Sequence, residues 1–388
     1  MYTTFMSSTT TSTGTGLYIH IPFCRRRCSY CSFVSVAHRE GDMPAYLNTL
    51  GQELTRYADG QRISTIYFGG GTPSLLSVEQ IEHLSHTIHS LFNVDGNAEI
   101  TMEANPGTID IAYLKAIKES GINRLSLGIQ SLNDKDLKIL GRIHTAAEAR
   151  DAVFFARKAG FNNLSLDLIY GLPGQTLTGW RNVLKEAADL APEHLSLYPL
   201  TLEGEEPMSR LIARGELPEP DPDCCADQYE LAEDLLAEYG YHHYEISNWA
   251  KQGWECRHNM VYWQDNPYLG AGVAAHSYLN RRRFANTTDI DDYLKADKDD
   301  LPSEMAIDEE VRTELQCAEA VILGLRLCDG ICPNDIDKRY NIDLLEKYSI
   351  QIEELRALGL LEFINGYIRL TRRGRLLGNE VFHRFLPD

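Results

Sequence analysis

Within LYIHIPFCRRRCSYCSF, residues 17–33, three of the chain's nine cysteines fall at Cys24, Cys28 and Cys31. Three core cysteines would be a poor account of CRRRC, which places Arg25, Arg26 and Arg27 between two supposedly buried positions. Thiolates suit zinc, but a structural zinc takes four ligands and no further Cys or His follows in register; Phe33 holds the next alternate position. Three thiolates from one short loop fit one face of a [4Fe–4S] cube and leave its fourth iron without a protein ligand. As in an open zinc site, a free coordination position is where a substrate binds. The three arginines would offset negative charge on such a cluster, one recognised influence on its potential.

Other chemistry-bearing residues recur at strand ends. GGGTP, Gly69 to Pro73, closes an apolar run, where glycine lets a backbone approach a ligand and present its amides; it lacks the Lys-Ser/Thr of a phosphate loop. Glu103 in TMEANPG, Gln130 in GIQS, Arg142 in GRIH and Asp167 in LSLDLIYGLPGQT each read singly as a strand end or a cap. Together they would set two acids, an amide and a guanidinium around one sheet edge, suited to a polar zwitterionic nucleoside. No residue is assigned a catalytic role.

The elements that must position these groups alternate. LYIHI, ISTIYFGG, EITMEAN, RLSLGIQS, NLSLDLIYGLP and HLSLYPLTL read as strands, separated by amphipathic stretches such as SVEQIEHLSHTIHSLF, which Ser77 and Gln80 open as a capping box. Six such repeats predict parallel βαβ units, and fewer than eight predict an open barrel with its chemistry at the strands' carboxyl ends. The expected fold is α/β: an incomplete (β/α)6 barrel over 17–240, after a frayed tail at 1–16. A connecting region at 241–305 follows, then a winged-helix-like α+β module at 306–388, its hairpin turning at Asn365-Gly366. The Pro-rich stretch 203–225 and the acidic run KADKDDLPSEMAIDEE read as surface connections.

Composition narrows the setting. Thirty-seven Lys and Arg against 56 Asp and Glu give a net charge of −19, which disfavours general nucleic-acid binding. No apolar run nears the ~20 residues of a membrane span, and the Ser/Thr-rich start has neither an apolar signal core nor arginine. A cytoplasmic setting keeps thiols reduced, favouring metal over disulfides.

With Tyr30 before the last cysteine, C-x3-C-x2-C resembles the radical S-adenosylmethionine superfamily. There the open iron chelates the amino and carboxylate groups of S-adenosylmethionine, and an electron from the cluster breaks a carbon–sulfur bond to give a 5′-deoxyadenosyl radical and methionine. The wider pattern is similar to oxygen-independent coproporphyrinogen III oxidase, which implies cofactor contacts at Tyr18, Tyr30, Gly70, Gly71, Thr72, Glu103, Gln130, Arg142, Asp167 and Thr201. Two departures matter: the oxidase carries a further cysteine where this chain has Phe33, and a longer segment before its cluster. The C-x3-C-x2-C-x-F form instead resembles the HemW group of heme chaperones. Its heme-associated H-N-x-x-Y-W matches His258, Asn259, Tyr262 and Trp263, with His258 the implied heme contact. Imidazole is a good heme-iron ligand and Tyr and Trp offer flat apolar area, though a packed aromatic strand with a hydrogen-bonded His would look the same. Cys256 and His276 are second-choice ligands, and Arg281 to Arg283 candidate propionate partners. The resemblance implies heme transfer to acceptor hemoproteins, membrane-bound ones among them, and an electron donor. Alternatives are the oxidative decarboxylase itself or a related radical methyltransferase.

Overall fold

The computed structural model describes residues 14–204, 206–295 and 307–387. Six parallel strands, β1 (Thr15–Ile21), β2 (Arg62–Gly70), β3 (Asn93–Ala104), β4 (Arg124–Gln130), β5 (Leu164–Tyr170) and β6 (His194–Pro199), stand side by side in chain order. Their outer face is covered by helices whose apolar residues recur every three or four positions. Ile81, Leu84 and Ile88 do so in Val78–Leu91, Ala149, Ala152, Val153 and Ala156 in Ala146–Lys158, and Trp180, Val183, Leu184 and Ala187 in Leu177–Asp189. The expected Ser77–Gln80 capping box opens the first of these, and Thr145 with Glu148 forms a second.

The barrel is incomplete. The far side of β6 is taken by the antiparallel pair β7 (His242–Glu245) and β8 (Asn248–Ala250), not by β1. A seventh parallel strand beyond the six expected, β9 (Tyr268–Ala271), is seated on the other side of β1. From it a meander of β10 (His276–Leu279), β11 (Arg282–Ala285) and β12 (Ile307–Glu310) extends the sheet outward. Glu53, in the helix Met43–Arg56, ties this extension to the barrel: it is buried, and accepts from Tyr293 Oη (2.6 Å), Asn286 Nδ2 (2.6 Å) and Gly272 N (2.8 Å).

A second apolar core, with Val321, Leu325, Ile352, Leu355 and Phe382, fills the C-terminal helices around the hairpin of β13 (Leu361–Ile364) and β14 (Tyr367–Leu370). Its turn residues Asn365 and Gly366 both have positive φ, as a two-residue hairpin loop requires.

Two local expectations differ from the fold, and a third falls mostly outside the described residues. β1 starts at Thr15, inside the stretch read as a tail, whose first 13 residues lie outside the described ones. The stretch 203–225 contains a helix, Pro207–Ala213, anchored by fully buried Met208. Most of the acidic run lies outside the described residues, and its end enters β12. Among the described residues no helix is long and apolar enough to cross a membrane.

Candidate functional site

A cavity of about 320 Å³ opens at the carboxyl ends of the parallel strands. Cys24, Cys28, Cys31, Tyr30, Gly70, Gly71, Thr72, Glu103, Gln130, Arg142, Asp167 and Thr201 all line it. The cysteine loop leaves β1 and is closed at its base by a short parallel ladder, Phe23–Cys24 against Val36–Ala37. Its middle is pinned through Ser29, whose amide donates to Leu140 O (3.2 Å), whose hydroxyl donates to Ile139 O (2.9 Å), and whose carbonyl accepts from Met208 N (2.9 Å). The helix missed at 207–213 therefore helps to hold the loop.

The three thiols are half-buried, and burial pushes those of Cys24 and Cys31 up, so the neutral forms prevail unless a metal takes the proton's place. Polar groups already face the sulfurs: Thr72 Oγ1 donates to Cys24 Sγ (3.5 Å) and Arg142 Nη1 to Cys28 Sγ (3.3 Å). Among the described residues no His, Cys, Asp or Glu group closes on a single metal ion. A cube takes one thiolate per iron, so its ligands need not converge on one point. Arg142 also donates to Gly128 O (2.8 Å) and to Asn105 Oδ1, while its Nε is buried without a partner. These donors fit an iron–sulfur cluster beside a polar cofactor. Such a cluster, when bound, supplies an electron and an iron with an open position.

The far wall is acidic. Glu103 accepts from Tyr67 Oη (2.9 Å) and Gly70 N (3.1 Å); burial, with Asp167 nearby, pushes its carboxyl up to about 7. Burial raises Asp167 too, although Ser126 Oγ (2.9 Å) and Ser165 Oγ (3.2 Å) donate to it. Those serines belong to a signal the sequence reading passed over, the L-S-L triplet repeated at Ser126, Ser165 and Ser196 in β4, β5 and β6. Period-two alternation sets Ser165 and Asp167 on one face, and Ser165 lies 3.3 Å from Ser196. Asn105, also missed, donates to Thr72 Oγ1 (2.9 Å) and so ties GGGTP to Arg142. Backbone geometry is special here as well. Gly70 has φ +116, and a Cβ on Gly71 would meet Pro22 O at 2.6 Å. Gln130 holds φ +60 without being glycine, a strain that concentrates at binding sites.

The raised carboxyl has a consequence for stability. Between pH 4.5 and about 7 the folded protein keeps a proton on Glu103 that the unfolded chain releases, so this residue's contribution falls as pH rises through that window. Buried His258, held down to about 3, contributes the opposite slope between pH 3 and 6.5. The informative quantity is therefore the difference from Glu103→Gln. In urea unfolding of the ligand-free protein, the variant should gain on the order of 1–2 kcal/mol relative to wild type between pH 5 and 7.5, since solvent in the cavity trims the full shift. A pH-independent difference would contradict this.

Two expected contacts are not at the cavity surface. Tyr18 is half-buried beside Tyr67, which does line the cavity; its hydroxyl is 3.0 Å from His20 Nδ1 and its ring is stacked on Tyr67 (6.2 Å). His258 sits not in a strand but in the short helix Arg257–Trp263, and is 1% exposed. Its Nδ1 is 2.8 Å from Thr65 Oγ1 and its Nε2 2.9 Å from Tyr262 Oη, so neither nitrogen is open to a heme iron. Cys256 is buried and donates to Glu99 Oε1 (3.6 Å), and Arg283 pairs with Glu319 (2.8 Å).

Residues 18–187 match the family model described as Radical SAM superfamily, and residues 314–377 that described as HemN C-terminal domain. A protein of Lactococcus lactis named Heme chaperone HemW is 38% identical over 96% of this chain and 97% of its own length. The chain belongs to the HemW family. A relative of the same name from Escherichia coli is 34% identical over 96% of this chain and 98% of its own length. The solved structure of coproporphyrinogen III oxidase (HemN) from Escherichia coli, described as a radical SAM enzyme, superposes with a TM-score of 0.84 at 25% identity, over 96% of this chain and 90% of that one. Membership of the superfamily implies a [4Fe–4S] cluster and S-adenosylmethionine as cofactors.

Proposed function

We propose that this chain is a heme chaperone: it binds heme and passes it to acceptor hemoproteins, carrying a [4Fe–4S] cluster on Cys24, Cys28 and Cys31. Exchangeable S-adenosylmethionine lies against Gly70 to Thr72, Glu103, Gln130 and Asp167. The reading rests on near-full-length likeness to proteins named heme chaperones. The observation that carries it in the fold is the cavity's mouth. Arg25, Arg26 and Arg27 are exposed there, and among the described residues none pairs with a carboxylate; the bonds of Arg25 and Arg27 go to backbone carbonyls of Gly107 and Cys31. Beside them stand Phe33, 66% exposed, and Ile143, 51% exposed. A flat apolar ring bearing two carboxylates matches that combination, in a protein whose net charge would otherwise repel it. Work in the cytoplasm, an electron donor reaching the cluster, and acceptors that include membrane-bound hemoproteins complete the proposal.

Hemin titrated into the anaerobically reconstituted protein should give a saturable Soret band that an added apo-globin then depletes. The dimethyl ester of heme, which lacks the propionate charges, and the triple variant Arg25→Ser/Arg26→Ser/Arg27→Ser should each bind about tenfold more weakly. Absence of any saturable shift of the Soret band from that of free hemin removes the chaperone reading. Conversion of coproporphyrinogen III to protoporphyrinogen would establish the oxidase instead, the activity named for the structural relative.

A further inference from the structure

We infer that the H-N-x-x-Y-W helix is a brace for the cofactor wall: His258 positions Tyr67, and through it the Glu103–Gly70 contact, while Trp263 fastens the helix to the C-terminal module. This rests on the proposed S-adenosylmethionine contact at Glu103.

The helix is seated first by Glu99. This buried carboxylate in β3 accepts from the amides of Arg257 (3.2 Å) and His258 (3.0 Å), free N–H groups of a helix's first turn, and from Cys256 Sγ. So placed, His258 reaches across to β2. Its ring stacks on Tyr67 with centroids 5.1 Å apart and planes 29° apart, and it engages Thr65 two residues earlier on the same face. Both ring nitrogens are held, so the imidazole has one orientation. Tyr67 is thereby clamped between His258 and Tyr18, and its hydroxyl meets Glu103 Oε1 while Glu103 Oε2 accepts from Gly70 N. At the other end of the helix the guanidinium of Arg326 lies over the Trp263 ring at 4.4 Å, and Asp265, just beyond, takes Tyr340 Oη (2.6 Å) and Arg339 (3.2 Å) from the module. His258 and Trp263 thus face different bodies, one carrying the cavity and the other the hairpin.

Tyr67 and His258 are positioning residues, and their test separates cofactor affinity from stability. S-adenosylmethionine affinity is measured by equilibrium dialysis on the anaerobically reconstituted protein, with the thermal midpoint of the same preparation. Glu103→Gln should weaken binding about tenfold or more, and Tyr67→Phe and His258→Ala each about three- to tenfold. The double variant Tyr67→Phe/His258→Ala should bind no more weakly than His258→Ala alone, since both act through one contact. His258→Phe keeps a ring against Tyr67 but leaves Thr65 and Tyr262 without their partner. It should restore affinity to within about twofold while the thermal midpoint stays lowered. Unchanged affinity in Tyr67→Phe or His258→Ala, with Glu103→Gln weakened, overturns the brace, as do additive losses in the double variant. Loss of the Soret band in His258→Ala with cofactor affinity intact overturns it as well, returning the residue to a heme contact. Unchanged affinity in Glu103→Gln instead removes the cofactor assignment beneath it.

Discussion

Replacing Cys24, Cys28 or Cys31 singly by alanine should cut reconstituted iron to about a tenth of wild type or less and erase the cluster's visible absorbance. An iron that loses its thiolate is left to solvent, and a cube held at three corners has no spare protein ligand to recruit. The fold should survive. The sulfurs lie on a half-buried loop whose backbone is held independently by Ser29 and by the Phe23–Val36 ladder, so far-UV circular dichroism and the thermal midpoint of the ligand-free protein should barely move. Cys224→Ser and Cys317→Ala are the matched controls. Cys224 sits near the start of the helix Pro222–Glu238 and Cys317 in the C-terminal core, and both variants should retain full iron. A cluster that persists in Cys28→Ala would end the proposed ligation.

The largest loss of stability is expected from Glu53→Ala, about 3–5 kcal/mol by urea unfolding. The carboxylate satisfies Tyr293, Asn286 and the Gly272 amide in a site closed to water, and each donor left unpaired costs about 1–3 kcal/mol. Because these partners lie beyond β9, the damage should fall first on the meander. Amide exchange should accelerate in 268–285 before it does in the helices packed on β4 and β5. A loss under about 1 kcal/mol would mean that water reaches these donors after all.

Glu53 also marks where sequence reading stopped. Local rules were legible: the Ser77–Gln80 box, the Asn365-Gly366 turn and the six strand–helix repeats depend on neighbours within a few residues. The motifs at strand ends were legible for the same reason, since a parallel sheet gathers its carboxyl ends whatever the connecting helices contain. Residues defined by distant partners were not. Glu53 sits among Leu50 and Leu54 on an apolar helix face, a signal that marks burial but not its partners. Glu99 precedes its helix amides by well over a hundred residues, and β9 is too short to carry a period. The L-S-L serines were visible as a repeat, yet only strand register says that Ser126 and Ser165 converge on Asp167. His258 was the hardest case. Its residue type suggests an iron ligand, and only burial with two occupied nitrogens points to a different use.

The place of β1 within the sheet bears on how the protein is made. The strand leading into the thiols is flanked by β2 on one side and β9 on the other, and β9 is among the later strands to be translated. While the chain is still emerging from the ribosome, that edge of β1 has no neighbour until residue 271 is free, so an exposed backbone edge adjoins the three-cysteine loop. Iron delivered before then would meet a loop without its final frame; maturation of the metal centre should trail the emergence of residues 268–271.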